Sequence, residues 1–311
     1  MVNHLLGNYE NVFVVLNPAA GKRSAPAVHE AIDKYMHEKQ VTIYETSGRE
    51  NVGQIVQEAI ENGAEMIIAA GGDGTISEVV DGLVGHGIPL GILPVGTGNN
   101  LAQELHIPLD PDSACQLLVN EPELSHLDVV KANDHFMINH LGVGISPQVM
   151  NDTSRASKNR FGLTAYLVTL VRKLIGHRPY HFTLTIDGQV HHVAASEILV
   201  ANTAATGIRN ITWGHQISPN DGQIDICVIH LRYWKDHFKT LWYMLTRQPH
   251  QNQQLRYFTA KESIHIHVAG KTHQVDIDGD IAGHTPVDIT VKPAAVPICV
   301  PNSFIENTPD P

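Results

Sequence analysis

Three apolar runs in the first hundred positions each stop at a glycine-rich turn. Val12 to Leu16 precedes Asn17-Pro18-Ala19-Ala20-Gly21-Lys22, Met66 to Ala70 precedes Gly71-Gly72-Asp73-Gly74-Thr75, and Leu90 to Leu93 leads through Pro94 to Gly96-Thr97-Gly98-Asn99-Asn100. Between them, apolar residues recur at helical spacing: Val28, Ile32, Tyr35 and Met36; Val52, Ile55, Val56, Ala59 and Ile60; Ile76, Val79, Val80 and Leu83. Val41 to Tyr44 supplies one more strand. Short strands alternating with amphipathic helices predict a mostly parallel sheet with helices on both faces. Ligands of such sheets gather at the carboxyl ends of the strands, where these three turns fall. Glycine lets backbone N–H groups approach an anion closely, and a following helix N-terminus adds positive potential. One such turn is as readily an ordinary tight turn; three on one sheet edge predict a phosphate-binding rim. Asp73, inside the second turn, would repel phosphate unless a cation intervened or a proton had to be removed. The competing reading is a cap on the helix that begins near Thr75.

Beyond about residue 126 the pattern changes. Phe182, Leu184 and Ile186 alternate with polar residues up to Asp187-Gly188, and Val190 resumes after it, which predicts a hairpin. Leu199-Val200, Ile224 to Ile229, Ile264 to Val268, Val275 to Ile277 and Val287 to Val291 also read as strands, interrupted by helical stretches around Tyr166 to Leu174 and Trp234 to Leu245. The expected organisation is an α/β domain over 1–126 and a β-rich, antiparallel domain over 127–299. The tail 300–311 is expected to return to the first domain.

With 21 Lys plus Arg against 32 Asp plus Glu, the net charge is −11, which argues against a nucleic-acid partner. Cys115, Cys227 and Cys299 are far apart and in no metal spacing, so neither a disulfide framework nor a zinc site is expected. The 20 His do not alter this: His191-His192 point to opposite faces of a strand, and His265 and His267 fall on an exposed one. No apolar run reaches the roughly 20 residues of a spanning helix, and Met1 to Glu10 lacks the order of a signal peptide. A cytoplasmic protein is expected.

Asn-Pro-x-x-Gly-Lys, then Gly71 to Leu83, then Pro89 to Ala102, resembles the diacylglycerol kinase catalytic family, which also takes in the sphingosine kinases and the soluble bacterial lipid kinases. The resemblance continues through Leu127-Asp128-Val129-Val130, Phe136 to Asn139, Ser218 to Asp225, Val275 to Asp280 and Val300-Pro301, in the family's order. The Gly-Gly-Asp-Gly-Thr turn alone is shared with NAD kinases. The resemblance implies ATP in a cleft between two domains, Mg²⁺ bridging its phosphates, and a lipid hydroxyl as acceptor. It assigns Asn17, Gly21, Lys22 and Thr46 to the nucleotide, with Gly71, Gly72, Asp73, Gly74, Thr75, Gly96, Thr97 and Asn99 around the phosphates. Asp128 and Asp221 are its metal-ligand candidates. The proton acceptor falls on Asp280, and Asp73 is the second catalytic carboxylate.

Two departures fall on carboxyl groups. The family's Asp-Gly-Glu is here Asp278-Gly279-Asp280, shorter by one methylene, and its Asn-Asp is Asn99-Asn100. An active lipid kinase is the preferred reading, with diacylglycerol as default substrate. A nucleotide or lipid sensor without turnover and an NAD kinase are the alternatives.

Charge adds an independent expectation. Residues 151–178 carry Arg155, Lys158, Arg160, Arg172, Lys173 and Arg178 against Asp152 alone. Residues 231–247 carry Arg232, Lys235, Lys239 and Arg247 against Asp236, interleaved with Trp234, Phe238, Trp242 and Tyr243. Nearly half of the 21 basic residues thus fall in two segments of an acidic chain, a pattern suited to the surface of an anionic bilayer. Solvated helix faces or a homodimer contact would use the same pattern.

Overall fold

The computed structural model describes residues 9–21, 24–120, 122–145, 147, 179–204, 217–231, 236, 240, 243, 246 and 252–305. Lys22, the whole of 151–178 and most of 231–247 lie outside the described residues. Two compact units emerge: Met1–Val129 with Pro219–Asp221 and Pro293–Pro311, and Val130–Ser218 with Gly222–Lys292.

The first unit begins β1 (Asn11–Leu16), α1 (Ser24–Tyr35), β2 (Gln40–Glu45), α2 (Val52–Glu61), β3 (Met66–Gly71), α3 (Asp73–Leu83) and β4 (Leu90–Pro94). The strands are all parallel, in the order β2-β1-β3-β4. Every residue of β3 and of β4 is buried, as expected of strands covered on both faces. Val14, Leu16, Ile68, Ala70 and Leu93 pack with Val28, Ala31 and Ile32 of α1. They also meet Cys115 and Leu118 of α5 (Pro111–Val119), which follows the one-turn α4 (Asn100–Glu104). Asp110 starts α5 by accepting the Ser113 N–H, with Pro111 in the first turn.

Helices α2 and α3 pack against each other at two glycines. A Cβ on Gly82 would sit 2.7 Å from Val56 Cβ, with the Gly53 carbonyl equally in the way. Gly82→Ala is therefore expected to cost about 1–3 kcal/mol through overpacking, read as a lower denaturant midpoint.

The second unit is an antiparallel β-sandwich. Strands β5 (Glu123–Ala132), β6 (His135–Met137), β7 (His140–Gly144), β8 (Tyr180–Ile186), β9 (Gln189–Ala195), β10 (Glu197–Ala201), β11 (Ile224–Ile229), β12 (Leu255–Ala260), β13 (Ser263–Val268), β14 (Gln274–Ile277), β15 (Asp280–His284) and β16 (Val287–Val300) follow in sequence, with β5 as far as Val129 and β16 from Pro293 belonging to the first unit. One layer runs β12-β11-β10-β7-β14-β15; the other contains β13, β8, β9 and the start of β16. Alternate residues of both layers, among them Leu141, Val143, Val200, Ile226, Val275, Phe182, Leu184 and Ile266, fill the core.

Strand β16 is longer than the sequence pattern suggests. It runs to Val300, with Ile298 beside Leu90 of β4, and the chain rejoins the first unit from Pro293 rather than from 300. The Asp128 carboxylate fastens the return by accepting the Ala294 N–H at 2.7 Å. Helix α6 (Asn302–Ile305) follows, its Phe304 ring edge-on to His106.

Candidate active site

The three glycine turns lie at the carboxyl ends of β1, β3 and β4, on one edge of the parallel sheet. Asn17 leaves β1 with its N–H on the Ala70 carbonyl, while its side-chain amide donates to Thr75 Oγ1 at 3.1 Å. The first and second turns are thereby joined. Thr46, just past β2, is buried and donates its N–H to the Leu16 carbonyl, on the same sheet edge.

The second and third turns meet still more closely. A Cβ on Gly72 would be 3.3 Å from Gly96 Cα, and one on Gly96 would collide with Gly72 Cα. Side chains at either position would separate the two turns. Gly71 is equally constrained, because Thr75 folds back over it. Gly72 starts α3 in an extended conformation with no side-chain cap. The first N–H groups of that helix, at Asp73, Gly74 and Thr75, have no acceptor within the helix and carry its positive end. Backbone N–H groups so placed are suited to an anion.

Asp73 does not cap its own helix. Its Oδ2 accepts the Asn100 N–H at 3.0 Å and its Oδ1 the Leu101 N–H at 3.1 Å, so it caps α4 from 27 residues away. Asn99, the residue before α4, has positive φ and no side-chain cap bond. Its amide instead accepts from the Gly96 N–H and donates to the Gly96 and Pro94 carbonyls, holding the third turn from within. Thr97 at the tip is exposed. A carboxylate offers about four acceptor positions, so each Asp73 oxygen keeps one for a metal-bound water or a cation.

Asp73, Asp128 and Asp221 do not form a three-carboxylate metal cage. Asp128 is buried, bonded to Ala294 and, through its own N–H, to the Pro219 carbonyl; Asp221 is exposed in the short excursion Pro219–Asp221. Among the described residues no group of three or more His, Cys, Asp or Glu is placed to hold a metal ion. A nucleotide-borne Mg²⁺ needs no such cage: it keeps several waters and takes one or two carboxylates alongside phosphate oxygens, a demand the remaining acceptor positions of Asp73 fit.

Asp280 belongs to the second unit, where it is exposed at the start of β15. Ile277 pairs with it across a two-residue turn, Asp278-Gly279, with φ of 49° and 96°. Positive φ at both residues is the type I′ hairpin that Asp-Gly favours. The Asp278 carboxylate takes three backbone N–H groups, from Ile138, Asn139 and His140, each at 2.9 Å. Burial raises its pKa, against the pull of those donors and of His140. Asp276 is pushed up to about 6, chiefly by burial, with His140 opposing.

Glu104, at the end of α4, is pushed up to about 7 by burial alone. Between pH 4.5 and 7 the folded protein therefore holds a proton that the unfolded chain releases, so stability falls as pH rises through that window. Glu104→Gln is expected to raise Tm at pH 8, by the equivalent of about 2–3 kcal/mol, with most of the gain gone at pH 5. Thermal unfolding at the two pH values reads it directly.

Comparison with known proteins now adds to this geometry. The diacylglycerol kinase catalytic domain model matches residues 11–132, and the model of the YegS C-terminal NAD kinase beta sandwich-like domain matches 140–300, more than half of the chain. The chain belongs to the diacylglycerol kinase catalytic family. A Staphylococcus aureus protein named "Putative lipid kinase" is 28% identical, over 82% of this chain and 86% of its own. A Synechocystis protein without assigned activity is 28% identical over 98% of this chain and 72% of its own. A crystal structure of a diacylglycerol kinase from Bacillus anthracis superposes with a TM-score of 0.77 at 24% identity, covering 95% of this chain and 99% of that one; it has the same fold. Membership of this kinase family implies ATP use. No described helix is long and apolar enough to cross a membrane.

Two parts of the site escaped the sequence reading. One is the Asp73 bond to α4. The other is a buried set beneath the Asp278 turn: Asn139, Asn202 and Thr203, at 2%, 0% and 0% exposure. Asn202-Thr203, a polar pair directly after the apolar strand β10, was the signal available.

Proposed function

We propose that this protein is an ATP-dependent lipid kinase, transferring the γ-phosphoryl group to the hydroxyl of a membrane lipid, a diacylglycerol-like one by default. The observation that carries this reading is the backbone rim of Gly72 and Gly96, held by the Asp73 bonds to Asn100 and Leu101. Phosphoryl transfer is mostly positioning and charge neutralisation, and such a rim supplies both. The N–H groups at the start of α3 face the phosphates, and Asn17, Thr46 and Gly21 border them. Mg²⁺, held by Asp73 beside the phosphates, would offset their charge.

Asp280 is the proton acceptor in this reading. The lipid O–H gives its proton to the Asp280 carboxylate, its oxygen bonds to the γ-phosphorus, and the bond to the bridging oxygen breaks to release ADP. Asp in place of Glu shortens the reach by roughly 1.5 Å, a difference the backbone must make up. The basic, aromatic-bearing segments 151–178 and 231–247 would bring the enzyme to an anionic bilayer as a peripheral visitor.

Transfer of label from [γ-³²P]ATP to mixed micelles of dioleoylglycerol, sphingosine, phosphatidylglycerol or undecaprenol tests the reading, with NAD as a soluble competitor acceptor. Labelled lipid is the expected result. Labelled NADP, or ATP binding with no transfer to any acceptor, overturns it.

A further inference from the structure

Strand β9 ends one of the two sheets and is paired on one side only, with β8. The two-residue turn between them, Asp187-Gly188, has φ of 46° and 80°, a type I′ hairpin. The Asp187 carboxylate holds that turn against its neighbour, accepting the N–H groups of Lys261, Glu262 and Ser263, each at 2.9 Å. In such a hairpin the residues flanking the turn, Ile186 and Gln189, exchange both main-chain bonds, and every second pair after them does the same. Val190, His192 and Ala194 therefore turn their N–H and C=O groups away from β8. The far side of β8 has the matching phase: the Asp187 N–H donates to the Ser263 carbonyl, and the His181 carbonyl accepts the Ala269 N–H, both at 2.9 Å. Among the described residues, one outward group is engaged, the Ala194 carbonyl, which accepts from His230 Nδ1 at 2.7 Å. A carbonyl has room for a second donor.

Sheet edges are commonly protected from pairing with another chain by charge, proline or a bulge. Gln189 to Ala195 contains no Asp, Glu, Lys, Arg or Pro, and its register with β8 runs unbroken. The sheet ends at β2, β12 and β15 each carry a formal charge, on Glu45, Arg256 and Asp280. At β9 the exposed side chains include Val190 instead, at 59%. Charge opposes self-association of a chain with a net −11, and an uncharged edge escapes that repulsion. The outward residues are also spaced symmetrically about His192. A two-fold axis there sets His192 against His192 of a second copy, and Val190 against Ala194, in the antiparallel sense. Each pair then exchanges two main-chain bonds. Any other antiparallel register leaves an outward residue unmatched.

We infer that two copies of this chain associate through β9, edge to edge and antiparallel, joining their sheets across a two-fold axis at His192. The inference is independent of which acceptor the enzyme phosphorylates. Contact over a single strand lies at the small end of interfaces, so a reversible dimer of micromolar affinity is expected.

Sedimentation velocity of the full chain over roughly 1–100 µM reads the association. With rising concentration the wild type is expected to pass from the mass of one chain to twice that mass. His192→Lys sets two ammonium groups opposite each other across the axis and should weaken the dimer at least about tenfold. His192→Pro should do the same, because the N–H it removes serves no bond to β8. Each variant gives up one exposed contact within the chain, that of His192 Nδ1 with Thr183, so each should stay folded by circular dichroism. Cross-linking reads the register. Cys115, Cys227 and Cys299 are buried, which leaves a thiol introduced at the edge as the accessible one. His192→Cys should form a disulfide-linked dimer under mild oxidation, since residues that exchange main-chain bonds lie about 5.5 Å apart at Cα, within disulfide range. Val190→Cys, whose two thiols would stand at opposite ends of the paired stretch, should stay largely unlinked. A monomer at every concentration overturns the inference, as does a dimer that neither His192→Lys nor His192→Pro weakens. Equal cross-linking of the two cysteine variants overturns the register, and with it the pairing.

Discussion

Asp73→Asn should lower kcat for lipid phosphorylation by about 10²–10³-fold, the scale on which a single preorganised charge contributes to a transition state. The substitution keeps the shape and removes the charge. One amide oxygen can still accept from Asn100 or Leu101, but the NH₂ group then faces the other N–H, and α4 loses half its cap. Leaving that buried donor unsatisfied costs about 1–3 kcal/mol of stability. The third turn, tied to Asp73 only through the start of α4, should then hold the phosphates less well, so KM for ATP should rise as kcat falls. Steady-state kinetics read beside a melting curve separate the two effects. Wild-type turnover in a folded Asp73→Asn protein would remove Asp73 from the reaction and leave it only a helix cap.

Gly96→Ala should abolish nucleotide binding and destabilise the first unit by several kcal/mol. The added methyl meets Gly72 Cα and lies 2.8 Å from Asn99 Oδ1, and main chain cannot yield as a flexible side chain does. Relief must come from moving the turn after β4 away from the turn after β3, which stretches the Asp73 bonds and the Asn99 amide contacts together. Gly74→Ala makes a matched control, because a Cβ there meets nothing within 4 Å. It should bind ATP within a few-fold of the wild type in a calorimetric titration. Equal loss at both positions would mean that the rim tolerates no side chain for reasons other than the contact between turns.

How far such contacts are legible in sequence depends on their range. The strands β1, β3 and β4 were readable because burial on both faces forces uninterrupted apolar runs, and α2 and α3 because their buried residues recur each turn. Strand β7 was not, since two of its five residues are glycine, and β12 was missed although its Leu255, Tyr257 and Phe258 suit a strand. Strand β16 hides behind Pro293 and Pro297, which read as a stop, while Ala294 takes a positive φ that no local pattern announces. The site divides in the same way. Three glycine turns on one edge follow from their place after successive strands. The Gly72–Gly96 contact, the reach of Asp73 to a helix 27 residues on, and the grip of Asp278 on residues 138–140 arise only when distant segments meet. Asn99 shows what a motif leaves unsaid: its amide bonds Gly96 and Pro94, and so shapes the turn after β4 from inside.

The central claim is that the backbone N–H groups after β3 and β4 receive the phosphates of ATP. Hydrogen exchange of the wild-type protein with and without ATP and Mg²⁺ tests it most directly. The account predicts slowed exchange at Gly72 to Thr75 and at Gly96 and Thr97, with no such change on adding adenosine. Protection by ATP confined to other segments, or equal protection by adenosine, would contradict it.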